Sequence, residues 1–345
     1  MTRRFFADES FWNTPIAADA AIDADNERLM AFVAQMRAGG FWLNCTDFTI
    51  PVYEVTADTP LRTVHRRWRE DGGDAIIAAA VARVGPSHPL GLAPGFGPAI
   101  PIPELAMADP AGDHHLAIID WERMTAWDMC GARRREDGEW ETLTGISYPL
   151  DGSGVFERAQ FDVRDGESIH LYGPGRAAGV PIIAGLVRYE EVCAGVIPHK
   201  LVFGSSAVAL QQFLYPPACW TDGPIPGGLP EGATLQLDPA LDLAQFPLSP
   251  AGRIIARALQ AYGAVCVDGA GGNVIYVEGL YGHAGKSWEG MLLHEALEPL
   301  GYEHFRLLRM EGLVQAGDVR HPVWPVAAEV LPEAAERAKE HPWPH

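Results

Sequence analysis

The chain has few cysteines and few basic residues for its length of 345. Its five cysteines are an odd number, lie far apart and form no CxxC motif, so the sequence favours buried thiols over a disulfide framework. Lysine and arginine together number 26 against 45 aspartates and glutamates, which gives a formal net charge of −19. Nucleic acids and anionic membranes both require a basic face, so this balance argues against both as partners.

Long hydrophobic runs and diagnostic catalytic motifs are also lacking. No apolar run approaches the roughly 20 residues of a membrane-spanning helix. The chain starts with two arginines close together, but Asp8 and Glu9 follow before any hydrophobic stretch forms. This is unlike a signal peptide, so we expect a soluble, cytoplasmic chain. No Walker loop, HExxH, GxSxG or zinc-knuckle spacing occurs, so no single motif identifies a function, and no pattern fixes the oligomeric state.

What the sequence does contain is a series of short strand-like segments between loops rich in proline and glycine. Asp137-Gly138 separates two such segments and predicts a hairpin. A second hairpin is predicted between residues 264–268 and 273–278. Helices are expected near 25–38 and 250–262, the latter with Ser249 as its cap.

Strands outnumber helices in this pattern and come in hairpins. The pattern therefore predicts a mainly-β fold, an antiparallel β-sandwich or jelly roll with a few peripheral helices. Composition shows no break, so residues 1–324 are expected to form a single domain with an N-terminal arm and helix. Residues 325–345 are rich in alanine, glutamate and proline and are expected to form a peripheral tail.

Several short phrases of the sequence are distinctive when taken in order. They are Trp12–Ile16, Phe48–Val55, Asp113–Ile118, Trp127–Asp128, Gly179–Val187, Val196–Leu201, Thr221–Gly223, Pro230–Pro239 and Ile255–Gly263. Together they resemble a largely uncharacterised family of secreted actinobacterial β-sandwich proteins of polysaccharide-handling type. The resemblance spans roughly residues 10–280 and implies a sandwich fold and a glycan context. It implies no catalytic residues, because none is assigned in that family.

Histidines are the first candidates for proton transfer, because an unperturbed imidazole pKa lies near 6.5. His115 and His199 each begin a predicted strand, and His170 lies in the polar segment between them. If the three strand entrances meet at one rim of the sandwich, these side chains could converge there. Each can instead be a hydrogen-bonded residue at a strand end. Three histidines could also hold a divalent metal, although no spacing in the sequence requires a cofactor.

Carboxylates are the second group of candidates, since glycoside hydrolysis needs two of them beside the scissile bond. Asp222 lies in a loop fixed by proline and glycine, and Glu278 ends a predicted strand. The alternative for any single acid in so acidic a chain is a solvated surface charge. Asp268-Gly269 is interpreted only as a turn.

Tryptophans supply the candidate sugar-stacking surface, because an indole ring offers an apolar face with a donor at its edge. Trp127 and Trp220 are the preferred stacking residues, with Trp121 as a third; the alternative is that they anchor the core. A lyase would use Tyr172 or a histidine as base and acid, and Arg176 to neutralise a uronate carboxylate.

The sequence therefore predicts a carbohydrate-active enzyme that cleaves a glycosidic bond by general acid–base catalysis, with hydrolysis and β-elimination both open. Its expected partner is a carbohydrate substrate. The alternative is a non-catalytic glycan-binding or structural β-sandwich, in which the histidines would not share a cleft.

Overall fold

The structure is a computed structural model that describes residues 3–36, 39–66, 96, 99–157 and 173–315. In these ranges the chain forms three α-helices, α1 (Asn26–Met36), α2 (Tyr189–Ala194) and α3 (Pro250–Ala261). The first nine strands are β1 (Trp42–Asn44), β2 (Ile50–Val55), β3 (Leu61–Arg66), β4 (Ala99–Pro101), β5 (Leu116–Asp120), β6 (Thr125–Cys130), β7 (Arg133–Arg134), β8 (Trp140–Thr142) and β9 (Thr144–Pro149). The remaining strands are β10 (Leu201–Ser205), β11 (Val208–Leu214), β12 (Leu229–Glu231), β13 (Thr234–Leu237), β14 (Ala264–Gly269), β15 (Val274–Tyr276), β16 (Glu278–Gly279), β17 (Phe305–Leu307) and β18 (Leu313–Gln315). The predicted mainly-β class is confirmed.

The described strands are arranged in four sheets. The six-stranded sheet has the order β1-β15-β10-β14-β13-β17, and the five-stranded sheet has the order β16-β2-β5-β6-β9. A four-stranded sheet has the order β4-β3-β8-β7, and a three-stranded sheet has the order β12-β11-β18. The predicted antiparallel sandwich needs one correction, because the sheets are mixed: β10 and β14 run parallel, as do β2 and β5.

The two largest sheets form a sandwich with further layers on both outer faces. Val202 and Val265 of the six-stranded sheet share a hydrophobic cluster with Ile119 of the five-stranded sheet. On the outer face of the six-stranded sheet, Phe203 belongs to a cluster that includes α1 and α3 residues. The outer face of the five-stranded sheet packs with the four-stranded sheet through a third cluster that contains Ile118. Alternate side chains of one central strand therefore pack into two different hydrophobic clusters, which explains why these strands are apolar on both faces.

Local signals explain the elements that the sequence predicted well. The Ser249 hydroxyl accepts a hydrogen bond from the Gly252 backbone N–H at 3.0 Å, and Pro250 occupies the first turn of α3, where its missing N–H costs nothing. The Asp137-Gly138 hairpin is confirmed, since β7 pairs with β8 in antiparallel register and Gly138 has a φ of 86°.

The second predicted hairpin is wrong. β14 and β15 do not pair with each other, because β10 lies between them, parallel to β14 and antiparallel to β15. The glycine-rich connection between them therefore spans an intervening strand. The expected tail at 325–345 lies outside the described residues. Among the helices that are described, none has the length and apolar character needed to traverse a bilayer.

Candidate functional site

The inner layer between the two large sheets contains a group of polar side chains that are all mostly buried except Asp222. We name it the Arg176 cluster, and its members are Arg176, Asp128, Asp222, Glu231, Asp268 and Tyr276. Buried ionisable groups are expensive unless they are paired, and they concentrate at functional sites. The Arg176 cluster is therefore the candidate site in the described part of the chain.

A bulge in β14 places Asp268 in the cluster. Phe203 pairs with Cys266 and Gly204 with Asp268, so one extra residue on β14 opposes the β10 ladder. Bulges re-aim side chains in this way next to functional sites. The Asp268 Oδ2 atom accepts a hydrogen bond of 2.8 Å from the Tyr276 hydroxyl on β15, across the intervening β10. A Cβ atom on Gly204 would lie 3.1 Å from the Tyr276 hydroxyl, so glycine leaves room for this contact.

Arg176 provides the positive charge of the cluster and is fully buried. Its guanidinium lies 4.2 Å above the centre of the Tyr276 ring, a cation–π contact, and its Nη1 atom lies 3.9 Å from Asp268 Oδ2. Its Nη2 atom donates to the Ile182 carbonyl at 2.9 Å. Its Nε and Nη1 atoms have no hydrogen-bond partner among the residues that the structure describes. The Arg176 guanidinium is thus close to Asp268, but it does not donate the direct hydrogen bond that would stabilise the ionised carboxylate more strongly.

Asp128 lies on the five-stranded sheet and faces the same layer. Its carboxylate accepts hydrogen bonds from the Tyr148 hydroxyl at 2.6 Å and from the Ile182 backbone N–H at 2.8 Å. Burial raises the pKa of Asp128 to about 7, and these hydrogen bonds together with the Arg176 charge only partly oppose that rise. Both backbone groups of Ile182 are therefore bonded to side chains of this layer, which fixes the irregular segment that contains Ile182 between the sheets.

Asp222 and Asp268 form the carboxyl pair of the site. Asp222 is exposed, and its two carboxylate oxygens lie 3.2 and 3.4 Å from the position that a Cβ on Gly269 would take. The Asp268 side chain is 15% exposed. Burial, followed by the charge of Asp222, raises the pKa of Asp268 to about 8, although Arg176 opposes this effect. The raised pKa favours the protonated form of Asp268 at neutral pH, and part of the rise comes from the charge of the exposed Asp222.

Glu231 lies behind this pair and is completely buried. Burial and then the charges of Asp222 and Asp268 raise the pKa of Glu231 well above its ordinary value. Three carboxyl groups thus share one region, and the repulsion between their charges opposes ionisation of all three together. The arrangement can hold protons at neutral pH and exchange them with a group that approaches Asp222 from solvent.

The predicted convergence of the histidines is not what the described structure shows. His115 is buried beside the cluster, where its Nε2 atom lies 3.2 Å from the Gly175 carbonyl oxygen, and burial lowers its pKa. His199 lies elsewhere, with Nε2 at 2.9 Å from a Glu191 carboxylate oxygen and Nδ1 at 2.8 Å from the Lys200 carbonyl. Burial alone would lower the pKa of His199, but the charge of Glu191 and its hydrogen bond raise it. His199 is thus held in a buried ion pair.

Glu278 lies in the region of the His199–Glu191 ion pair and not beside Asp222. Its carboxylate accepts a hydrogen bond of 2.8 Å from the Tyr189 backbone N–H, and burial raises its pKa. The opposing effect comes chiefly from Arg188, whose Nη1 atom lies 3.8 Å from Glu191. The predicted role of Glu278 as a catalytic acid is therefore replaced by a structural role at the start of α2.

The prediction that the tryptophans stack on a sugar is contradicted by their burial. Trp127 and Trp220 lie in two different hydrophobic clusters and are only 9% and 5% exposed, so neither presents a ring face to a sugar. Trp121 is half-buried and its ring stacks on Phe5, with centroids 5.7 Å apart. These rings are core and loop anchors.

His170 and Tyr172 lie outside the described residues. Within the described ranges, no group of three or more histidine, cysteine, aspartate or glutamate side chains is arranged to hold a metal ion.

Sequence reasoning found Asp222 and Arg176 but missed four members of the cluster. Asp128 and Asp268 interrupt apolar strands, which is the one local signal that could have marked them. Glu231 and Tyr276 carry no such signal, because their roles depend on strands that are distant in the chain.

Comparisons with models of known protein families, with curated proteins and with solved structures found no match.

Proposed function

We propose that this protein is a carbohydrate-active enzyme that cleaves a glycosidic bond by general acid–base catalysis at Asp268 and Asp222. The observation that carries the proposal is the meeting of one mostly buried carboxyl group, held by the Tyr276 hydroxyl, with one exposed carboxyl group beside Gly269. Glycosidases use such a pair, in which one acid protonates the leaving oxygen and the other acts on the sugar or on water.

Each member of the pair has the environment that its role requires. Burial and the charge of Asp222 raise the pKa of Asp268, which favours its protonated form and suits it to donate a proton to the leaving-group oxygen. Asp222 is exposed and can activate water or attack the anomeric carbon. Tyr276 positions the acid through its hydrogen bond, and Arg176 lies close enough to stabilise the carboxylate that forms after proton transfer.

This assignment replaces the combination expected from the sequence, in which a histidine (His115 or His199) and an acid (Asp222 or Glu278) would carry out the proton transfers. His115 is 2% exposed and His199 is held by Glu191, so neither imidazole faces solvent. A carbohydrate as substrate rests on the sequence resemblance and on the suitability of a carboxyl pair for this reaction.

The test is the release of reducing ends from a polysaccharide panel, read together with the ultraviolet absorbance of unsaturated sugars. We expect reducing ends without new absorbance, which indicates hydrolysis. Asp268→Asn and Asp222→Asn should each lower turnover by about a hundredfold or more. Asp58→Asn is the matched control, because Asp58 lies in an exposed turn outside the site, and it should retain full turnover.

Three outcomes contradict the proposal. Turnover unaffected by both site variants would remove the carboxyl pair from the mechanism. New absorbance would assign β-elimination in place of hydrolysis. No turnover on any substrate, with glycan binding retained, would favour the non-catalytic glycan-binding alternative.

A further inference from the structure

Arg176 is held from the side of one large sheet and faces an acid on the other. Its backbone is held next to β5, because the His115 Nε2 atom lies 3.2 Å from the carbonyl oxygen of Gly175, the preceding residue. Its side chain is held next to β6, because Asp128 fixes the residue to which the guanidinium is bonded. The acid, Asp268, belongs to β14 of the six-stranded sheet. The position of the Arg176 charge beside Asp268 therefore depends on groups of the opposite sheet.

Asp128 acts on the guanidinium through one residue, Ile182. One carboxylate oxygen of Asp128 accepts a hydrogen bond from the Ile182 N–H at 2.8 Å, and the Ile182 carbonyl accepts one from Arg176 Nη2 at 2.9 Å. The other carboxylate oxygen accepts from the Tyr148 hydroxyl at 2.6 Å. Asp128, Tyr148 and Ile182 are all buried, so solvent does not readily replace a partner that is lost. Removal of the carboxylate would therefore release Ile182.

The six-stranded sheet provides no hydrogen bond that would fix the guanidinium instead. Arg176 Nη1 lies 3.9 Å from Asp268 Oδ2, which is too long for a hydrogen bond. The Tyr276 ring lies 4.2 Å from the guanidinium, and its hydroxyl donates to the same Asp268 oxygen. Arg176 Nε and Nη1 have no hydrogen-bond partner in the part of the chain that the structure describes. Within that part, the Ile182 carbonyl is thus the hydrogen-bond anchor of the guanidinium.

The titratable groups around this contact come from both sheets. Those that act on Asp268 are Asp113, Asp222, Glu231, Arg176, Cys266 and Tyr276. Those that face Arg176 from the five-stranded sheet are His115, Asp128 and Tyr148. Burial lowers the pKa of His115, so Arg176 supplies the positive charge that opposes the raised pKa of Asp268. A guanidinium that moved away from Asp268 would no longer stabilise its carboxylate.

We propose that Asp128 is a positioning residue for the proposed glycosidic cleavage, which through Ile182 holds the Arg176 guanidinium beside the carboxyl group of Asp268. This inference deepens the proposed function and rests on it for the reaction that Asp268 performs. Asp128 is completely buried and acts through Arg176, not on the substrate. Arg176 in turn stabilises the carboxylate that remains on Asp268 after proton transfer. Loss of Asp128 should therefore slow the chemical step and leave substrate binding unchanged.

Variants at one position separate the hydrogen-bonding shape of Asp128 from its charge. Asp128→Asn keeps an oxygen that accepts the Ile182 N–H, and its amide can donate to the Tyr148 oxygen, so the guanidinium should stay in place. Asp128→Leu removes the support of Ile182, and it is combined with Tyr148→Phe so that no buried hydroxyl loses its acceptor. Tyr148→Phe alone keeps the bond between Asp128 and Ile182 and is the matched control.

The measurement is the pKa of the Asp268 carboxyl group, read from its ¹³C chemical shift in the full chain labelled with ¹³C-aspartate. The signal is assigned by its absence from Asp268→Asn. In the native protein we expect a pKa of about 8. The double variant should raise this pKa by about one or more, because an opposite charge is released from the acid. Asp128→Asn and Tyr148→Phe alone should not raise it.

A further variant guards against misfolding, because the double variant leaves the buried Ile182 N–H without an acceptor. Asp128→Ala leaves room for a water molecule beside both donors. Water does not fix Ile182 as the carboxylate does, so the pKa of Asp268 should again rise. Turnover provides a second readout: the double variant should lower kcat about tenfold with KM unchanged, whereas Asp128→Asn should retain most of the turnover.

The outcomes separate this inference from the proposed function. An Asp268 pKa raised as much in Asp128→Asn as in the double variant would assign the effect to the charge of Asp128 and overturn the positioning role. An unchanged pKa in both the double variant and Asp128→Ala would also overturn it. The expected pKa differences in a chain that cleaves no glycan would support the positioning of Arg176 and contradict the enzymatic proposal. Cleavage with the same kcat in every Asp128 variant would do the reverse.

Discussion

Replacing Asp268 by asparagine should change how the stability of the protein depends on pH. Asparagine has nearly the shape of a protonated aspartic acid, its oxygen can accept the Tyr276 hydrogen bond, and it carries no charge at any pH. In the native protein the pKa of Asp268 is raised to about 8, whereas an aspartate in the unfolded chain has a pKa of about 3.9.

The sign of the effect follows from proton uptake. Between the two pKa values the unfolded chain has lost the proton that the folded chain keeps, so rising pH favours unfolding. The free energy of unfolding should fall by about 1.4 kcal/mol per pH unit from this group, or about 3 kcal/mol between about pH 5 and about pH 7. The asparagine variant has no titrating group at this position. The difference in free energy of unfolding between the variant and the native protein should therefore change by about 3 kcal/mol in favour of the variant from about pH 5 to about pH 7.

Equilibrium urea unfolding at several pH values, followed by tryptophan fluorescence, measures this difference. The other titrating acids are present in both proteins, so the comparison isolates Asp268 and its coupling to them. Asp58→Asn is the control and should give a profile parallel to that of the native protein. Parallel profiles for Asp268→Asn as well would show that Asp268 is ionised in the folded state, and would refute the reasoning on which its role as an acid depends.

Two further substitutions test the rest of the structure. His199→Gln should lower the free energy of unfolding more at about pH 6 than at about pH 9. The raised pKa of His199 contributes stability that is present at low pH and is lost as the pH rises through that pKa. An equal loss at both pH values in urea unfolding would contradict the ion pair with Glu191. Trp12→Ala should cost about 3–5 kcal/mol, because its ring is 1% exposed and its Nε1 atom donates to the Gly154 carbonyl at 2.6 Å. Trp42, which is 42% exposed, provides the comparison by the same measurement, and an equally large loss for Trp42→Ala would mean that burial does not explain the effect.

Elements whose signals are local could be predicted from the sequence. α3 has its cap, its first-turn proline and its apolar stripe within one segment, and it is observed at Pro250–Ala261. The Asp137-Gly138 hairpin depends on two residues that tolerate a tight turn. Such signals need no knowledge of the rest of the chain.

Strand order could not be predicted in the same way. β14 and β15 look like a hairpin in sequence, but β10 lies between them and pairs with both. The candidate site depends on this order, since Asp268 and Tyr276 meet across β10. Local reasoning interpreted Asp268-Gly269 as a turn, because the bulge that directs Asp268 inward is created by pairing with a strand some sixty residues earlier.

The irregular segment between the two large sheets has a consequence for the order of folding. The Ile182 N–H and carbonyl are bonded to Asp128 of one sheet and to Arg176, which contacts Tyr276 of the other. The Ile182 N–H gains its partner only when the segment packs on the five-stranded sheet, and Arg176 of the same segment contacts the other sheet, so the two sheets and the segment should form one cooperative unit. Amide hydrogen exchange at Ile182 should then require global opening of the molecule, and the slowest-exchanging amides should include a residue that belongs to no helix or strand.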